Sequence, residues 1–239
     1  MLENKALYFS RASHLTEDDP YEGLYPQGQV EAIIRGWAEE IAKDDAHSRS
    51  IQEIEADLRD QDLPQFSSNW LQANFLVNGW YLGQQESMAM WRLYAADLQG
   101  VVIVSTYKRL RKAFTEDHPG VHIGMVRYDD GARPAGNAFY PITYKRKAFE
   151  HEQELRAVVW TIGRYRLSDE AEETFAEIEI ADEAPGADIN VDLEMLIQEI
   201  RTPPGCPAWF HSAIVAVVNR YNDAHGLSIS VSRSELESF

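Results

Sequence analysis

Apolar residues recur at helical spacing through Val30, Ile33, Ile34, Trp37 and Ile41, and again through Ile51, Ile54 and Leu58, with acids filling the positions between. Residues three and four apart share one side of a helix, so this pattern predicts a solvated helical insertion over about 27–62. It reads as one long helix or two, bent around Ala46-His47-Ser48 and closed by Leu63-Pro64. Strand signals are Ala6-Leu7-Tyr8-Phe9-Ser10, the stretch from Phe75 to Leu82, Val121 to Tyr128, Phe175 to Ile180, Glu199-Ile200-Arg201 and Leu227 to Val231. The uninterrupted apolar run Val101 to Thr106 reads as a strand covered on both faces. Helices are expected over Glu86 to Ala96, Tyr107 to Phe114 and Ala208 to Asn222. On the first of these, Ser87, Trp91 and Tyr94 lie at i, i+4 and i+7 and are expected on one face; Ser87 could equally serve the helix N-terminus.

The runs Val121 to Tyr128 and Arg156 to Thr161 follow each other without a clear crossover helix. A mixed or mostly antiparallel sheet flanked by helices is therefore expected, an α+β fold. No repeat, linker or composition break divides the 239 residues, which read as a single domain.

One stretch breaks the alternation of apolar and polar. Lys145-Arg146-Lys147 leads through Glu150, Glu152 and Glu154 to Arg156 and then into Val158-Val159-Trp160. If a strand begins near Gln153, alternation places Glu152, Glu154 and Arg156 on one face and Leu155 on the other. Charges gathered at the mouth of a buried strand make either a salt-bridged strand entrance or a functional site.

Composition narrows the choice. A formal net charge of -17 disfavours broad binding of double-stranded nucleic acid, which depends on Lys and Arg neutralising phosphates, although a local basic groove remains possible. The single cysteine, Cys206, allows no disulfide within the chain and fits a cytoplasmic setting. The longest apolar runs are far shorter than a membrane span. Phosphate-binding glycine loops, HExxH, GxSxG and His-Cys metal spacing are all missing, so no metal is expected. Asp18, Asp19, Glu22, Glu152 and Glu154 could build a carboxylate metal centre, as in a phosphodiesterase or nuclease, only if the fold gathers them.

Four segments together resemble the domain-of-unknown-function 2971 family of bacterial and phage-associated proteins. They are Leu7-Tyr8-Phe9-Ser10-Arg11 with Asp19-Pro20-Tyr21-Glu22-Gly23, then Glu86 to Tyr94, then Gly100 to Thr106, then Lys145-Arg146 with Phe149 to Arg156. Members carry a further strand and helix ahead of these, so the start reads as truncated or as that of a subgroup without them. Gly79-Trp80-Tyr81-Leu82, followed by Ser87 and Tyr94, also looks like the strand-then-helix segment of ADP-ribosyltransferases, and Glu152-x-Glu154 is similar to the spacing of their arginine-modifying branch. This second resemblance implies an ADP-ribosyltransferase-like fold and NAD as a substrate. Glu154 would then stabilise an oxocarbenium-like transition state and Glu152 would orient a macromolecular acceptor. Tyr81, Ser87, Trp91 and Tyr94 would line the nicotinamide, and Arg11, Lys145 or Arg156 would hold ribose or phosphate. Antiphage defence or a toxin role is the implied setting. The alternative is a non-catalytic nucleotide- or protein-binding module in which Glu152, Glu154 and Arg156 form one buried ion network with the Asp19 to Gly23 turn.

Overall fold

The computed structural model describes residues 1–17, 19–24, 27–44, 49–60, 72–95, 100–114, 120–131, 139–161 and 184–237. The expected strand over 175–180, the Leu63-Pro64 stop, the Ala46-His47-Ser48 bend and Asp18 lie outside the described residues.

The chain runs β1 (Ala6–Arg11), α1 (Gln27–Asp44), α2 (Ile51–Asp60), β2 (Phe75–Tyr81), α3 (Met88–Tyr94), β3 (Val102–Val104), α4 (Tyr107–Ala113), β4 (Val121–Met125), β5 (Arg127–Tyr128), α5 (Tyr140–Thr143), β6 (Tyr144–Lys145), β7 (Glu154–Trp160), β8 (Gly186–Asn190), α6 (Leu193–Leu196), β9 (Glu199–Thr202), α7 (Ala208–His225) and β10 (Ser230–Arg233). Short 3-10 turns cover Ala12–Glu17, Lys147–Glu152 and Glu235–Glu237. The fold is thus mixed α and β, with antiparallel sheet flanked by helices. Contacts gather the chain into two compact units: Met1–Tyr8, Tyr81–Val121 and Asp188–Phe239 form the first, Phe9–Trp80 and His122–Ala187 the second. Each is assembled from separated stretches, which is why no composition break marks either one.

Strands β4, β7, β2, β1 and β8 lie in that order in a five-stranded sheet, and β1 pairs antiparallel with β2 through Ser10 opposite Val77 and Arg11 opposite Leu76. In the second unit, Ala12, Phe75, Val77, Ile142 and Val158 make a buried cluster against Phe139 and Trp160. The rings of Phe75 and Trp160 stand 5.1 Å apart, close enough for the tilted packing that aromatic quadrupoles favour. Strand β7 is buried along nearly its whole length, so its apolar half fills both sides of the sheet.

The helical insertion is two helices. Ile34, Ala38, Ile54 and Leu58 pack together with Val30 and Ala42, a core that among the described residues comes from the hairpin itself. The Arg59–Glu31 ion pair at 2.6 Å joins the far ends of α1 and α2, which fixes them antiparallel.

In the first unit, β9 lies between β10, parallel to it, and β3, antiparallel to it. The expectation of a strand covered on both faces over Val101 to Thr106 is overturned. β3 is only three residues long, Val101 and Val102 are exposed, and among the described residues β3 bonds β9 on one side only, so the apolar run lies at the edge of the sheet that these residues form. Thr106 caps α4 by accepting from the backbone N–H of Arg109. Gly226, at φ +67°, ends α7 in the left-handed conformation that a residue with a Cβ resists. Among the described residues no helix is long and apolar enough to cross a membrane.

Candidate functional site

The charged stretch around Glu154 converges with the Asp19 to Gly23 turn in the second unit. Arg156 leaves β7 pointing inward and is 1% exposed, the largest fully buried side chain among the described residues. Its Nε donates to Glu154 Oε1 at 2.8 Å, its Nη2 to Glu154 Oε2 at 2.9 Å and to Glu22, and its Nη1 to the Ile142 carbonyl at 2.6 Å. Lys145, on β6, puts its ammonium among three carboxylates: Glu152 at 2.6 Å, Glu154 at 3.4 Å and Glu22 at 3.4 Å. Beside them Arg146 grips Asp19 with two bonds, 2.7 and 3.2 Å, while its guanidinium lies 5.0 Å from the Tyr21 ring. Gln72 donates to the Glu22 carbonyl at 2.7 Å and closes the turn from the other side.

Backbone geometry gathers these groups differently from simple alternation. Gln153 sits in the left-handed region at φ 40°, so β7 starts at Glu154, and Glu152 belongs to the preceding 3-10 turn. The two glutamates therefore do not meet as alternate residues of one strand, as expected; they meet because Lys145 bonds both. The Glu154 carboxylate then lies over β2 at Gly79, where an added Cβ would stand 2.6 Å from Oε1. Tyr128, which the sequence did not single out, accepts the Glu154 backbone N–H at 2.7 Å and fixes the entry to β7.

Burial and charge set the protonation states against each other. Burial pushes the Glu22 carboxyl above its ordinary value, even against the pull of Arg156 and Lys145. Burial acts the same way on Glu154, but Arg156 and Lys145 outweigh it and hold this carboxyl below its ordinary value. Desolvation would release the Lys145 proton, yet Glu154 and Glu22 raise that group above an ordinary lysine. Glu154 is accordingly an anion at neutral pH. Lys145 is a firmly held cation, its proton kept by the carboxylates around it.

The remaining expected site residues are placed elsewhere. Arg11 is buried and donates to the carbonyls of Ala184, at 2.7 Å, and Ala73, so its guanidinium serves the backbone of the second unit. Tyr81, Ser87, Trp91 and Tyr94 belong to the first unit. There Ser87 caps α3, accepting from the Met90 N–H at 3.4 Å. Trp91 is buried and donates to Glu86 at 2.8 Å, whereas Tyr94, the last residue of α3, is 70% exposed. The expected stripe of Ser87, Trp91 and Tyr94 is thus divided among a cap, a core position and an exposed end.

A second ion cluster, unforeseen in the sequence, surrounds Glu86 in the first unit. Its carboxylate accepts from Trp91, from Ser234 at 2.5 Å, from the Glu235 N–H at 2.9 Å and from Arg201 at 2.8 Å. Among the described residues no group of three His, Cys, Asp or Glu side chains is arranged to hold a metal ion. No protein-family model, curated protein or solved structure matches the chain.

Proposed function

We propose that the chain is a non-catalytic, protein-binding module in which the network of Glu22, Lys145, Glu152, Glu154 and Arg156 ties the fold together. One observation carries this reading: Arg156 is buried with its donors matched to two carboxylates and a carbonyl. A cation so committed has nothing left for a substrate, and removing it would leave three carboxylates to Lys145 alone. The same holds for the cations that a nucleotide phosphate would need. Lys145 is surrounded by carboxylates, Arg146 holds Asp19 and Arg11 bonds backbone carbonyls. With a net charge of -17, this favours a protein partner over a nucleotide.

A second reading, an NAD-consuming transferase resembling ADP-ribosyltransferases and acting on a macromolecular acceptor, draws on a different observation. Glu154 is the most exposed member of the network, at 14% of its side chain, and it is an anion lying over a strand position without a side chain. A carboxylate in that state could stabilise an oxocarbenium-like transition state. Glu154→Gln separates the two. On the binding-module reading, purified protein releases no nicotinamide from NAD above a buffer blank, and Glu154→Gln lowers the urea unfolding midpoint. NAD consumption by the wild type that Glu154→Gln abolishes at unchanged stability would reverse the choice.

A further inference from the structure

The α1–α2 hairpin buries one apolar face in its own core and leaves another uncovered. Ile34, Ala38 and Ala42 of α1 meet Ile54 and Leu58 of α2. A second stripe, Ile33, Trp37 and Ile41 at i, i+4 and i+8, starts buried at Ile33 and emerges toward the end where the helices join, with Trp37 and Ile41 each 39% exposed. The antiparallel arrangement of α1 and α2 brings Ile51, also 39% exposed, to the same end as Ile41.

The charge of the hairpin is one-sided. Residues 27–60 hold nine acids against four bases. All four bases are paired inside the hairpin: Arg35 with Glu39, Lys43 with Glu40, Arg49 with Asp57, and Arg59 with Glu31 and Glu55. The surplus is negative, and two such hairpins would repel each other, which disfavours a second copy of this chain as the occupant. An apolar stripe on a net-acidic hairpin suits a helix that carries apolar residues on one face and Lys or Arg beside them.

The geometry points to the Trp37–Ile41–Ile51 end of the hairpin as a docking surface for a basic amphipathic helix of a partner protein. This deepens the binding-module reading and rests on it for the existence of a partner, but it uses residues outside the ion network. The test uses the full chain and two fluorescein-labelled peptides of identical leucine and lysine composition, one with leucines at helical spacing and one shuffled so that no stripe forms. Fluorescence anisotropy at physiological ionic strength should show the striped peptide binding more tightly than the shuffled one. Trp37→Asp and Ile41→Asp should each weaken the striped peptide by about tenfold or more. Far-UV circular dichroism and the urea midpoint check that both variants fold, and Ile41→Asp, nearer the joined end, serves if Trp37→Asp does not. Equal binding of the two peptides, or binding that neither variant changes, overturns the proposal. So does a wild-type dimer in analytical ultracentrifugation that Trp37→Asp converts to monomer. NAD turnover is read separately, so failure here is distinguishable from failure of the binding-module reading.

Discussion

The two ion clusters use the same chemistry with opposite charges at the centre. In the second unit an arginine sits in the middle: Arg156 is 1% exposed and Glu22 and Glu154 close around it. In the first unit a carboxylate sits in the middle, and Glu86 collects one arginine, an indole, a hydroxyl and a backbone N–H. The difference teaches what each can lose. Arg156 is balanced by two carboxylates that would be left with Lys145, 3.4 Å from each, as their neighbouring cation, whereas Glu86 keeps three neutral donors even without Arg201, which is itself 18% exposed. Depth and the number of alternative partners, rather than the presence of an ion pair, decide how much each cluster holds.

The sharpest break of that comparison is a matched pair of substitutions. Arg156→Met should cost about 3–5 kcal/mol, because it removes the closer cation from two buried carboxylates and leaves them only Lys145 at 3.4 Å, while Arg201→Met should cost about 1 kcal/mol or less. Urea unfolding of both variants checks this, and equal losses would remove the distinction drawn between the clusters. Gly79→Ala should come next, at about 1–3 kcal/mol, since the new methyl must displace the Glu154 carboxylate from over β2. Combined with Glu154→Gln it should cost less than the sum of the two single changes, because both disturb the same contact.

The smallest effect is in pH dependence, and its sign differs among the carboxylates. Burial raises Glu22, so the folded chain holds that proton to higher pH than the unfolded chain, and stability falls as pH rises from the ordinary carboxylate value toward the raised one. Glu154 is held low by Arg156 and Lys145 against its burial, and Glu86 by bonds from Ser234, the Glu235 backbone, Trp91 and Arg201 against its own. Their contributions are present above the ordinary value and are lost as pH falls through the lowered ones. Unfolding free energy measured against pH should lose its decline above the ordinary carboxylate value in Glu22→Gln, and part of its acid-side fall in Glu86→Gln.

Local signals carried much of this. The spacing of Val30, Ile34, Ile54 and Leu58 anticipated the hairpin, Ser87 was legible as a cap, and the charges of Lys145 to Arg156 marked the network before their partners were placed. What escaped depends on a single backbone angle or on distant chain. The left-handed Gln153 breaks the alternation that would have put Glu152 on β7, and neighbouring residue types do not announce it. The Glu86 cluster draws on Arg201, Ser234 and Glu235, more than a hundred residues away, so no local pattern could show it. The edge position of β3 was hidden for the same reason, since an apolar run looks alike at the middle and at the margin of a sheet.

The interleaving of the two units has a consequence for synthesis on the ribosome. Lys5 accepts the N–H of Val191, and Asn4 donates to Asp188 at 2.9 Å, so residues 4 and 5 complete their unit only with residues synthesised more than 180 positions later. Until that stretch appears, Met1–Tyr8 has nothing of Asp188–Phe239 to close against. Folding in order of emergence can therefore finish neither unit early, and long-range closure of this kind is expected to be slow. Dividing the chain at any one point would leave at least one unit without part of its own fold.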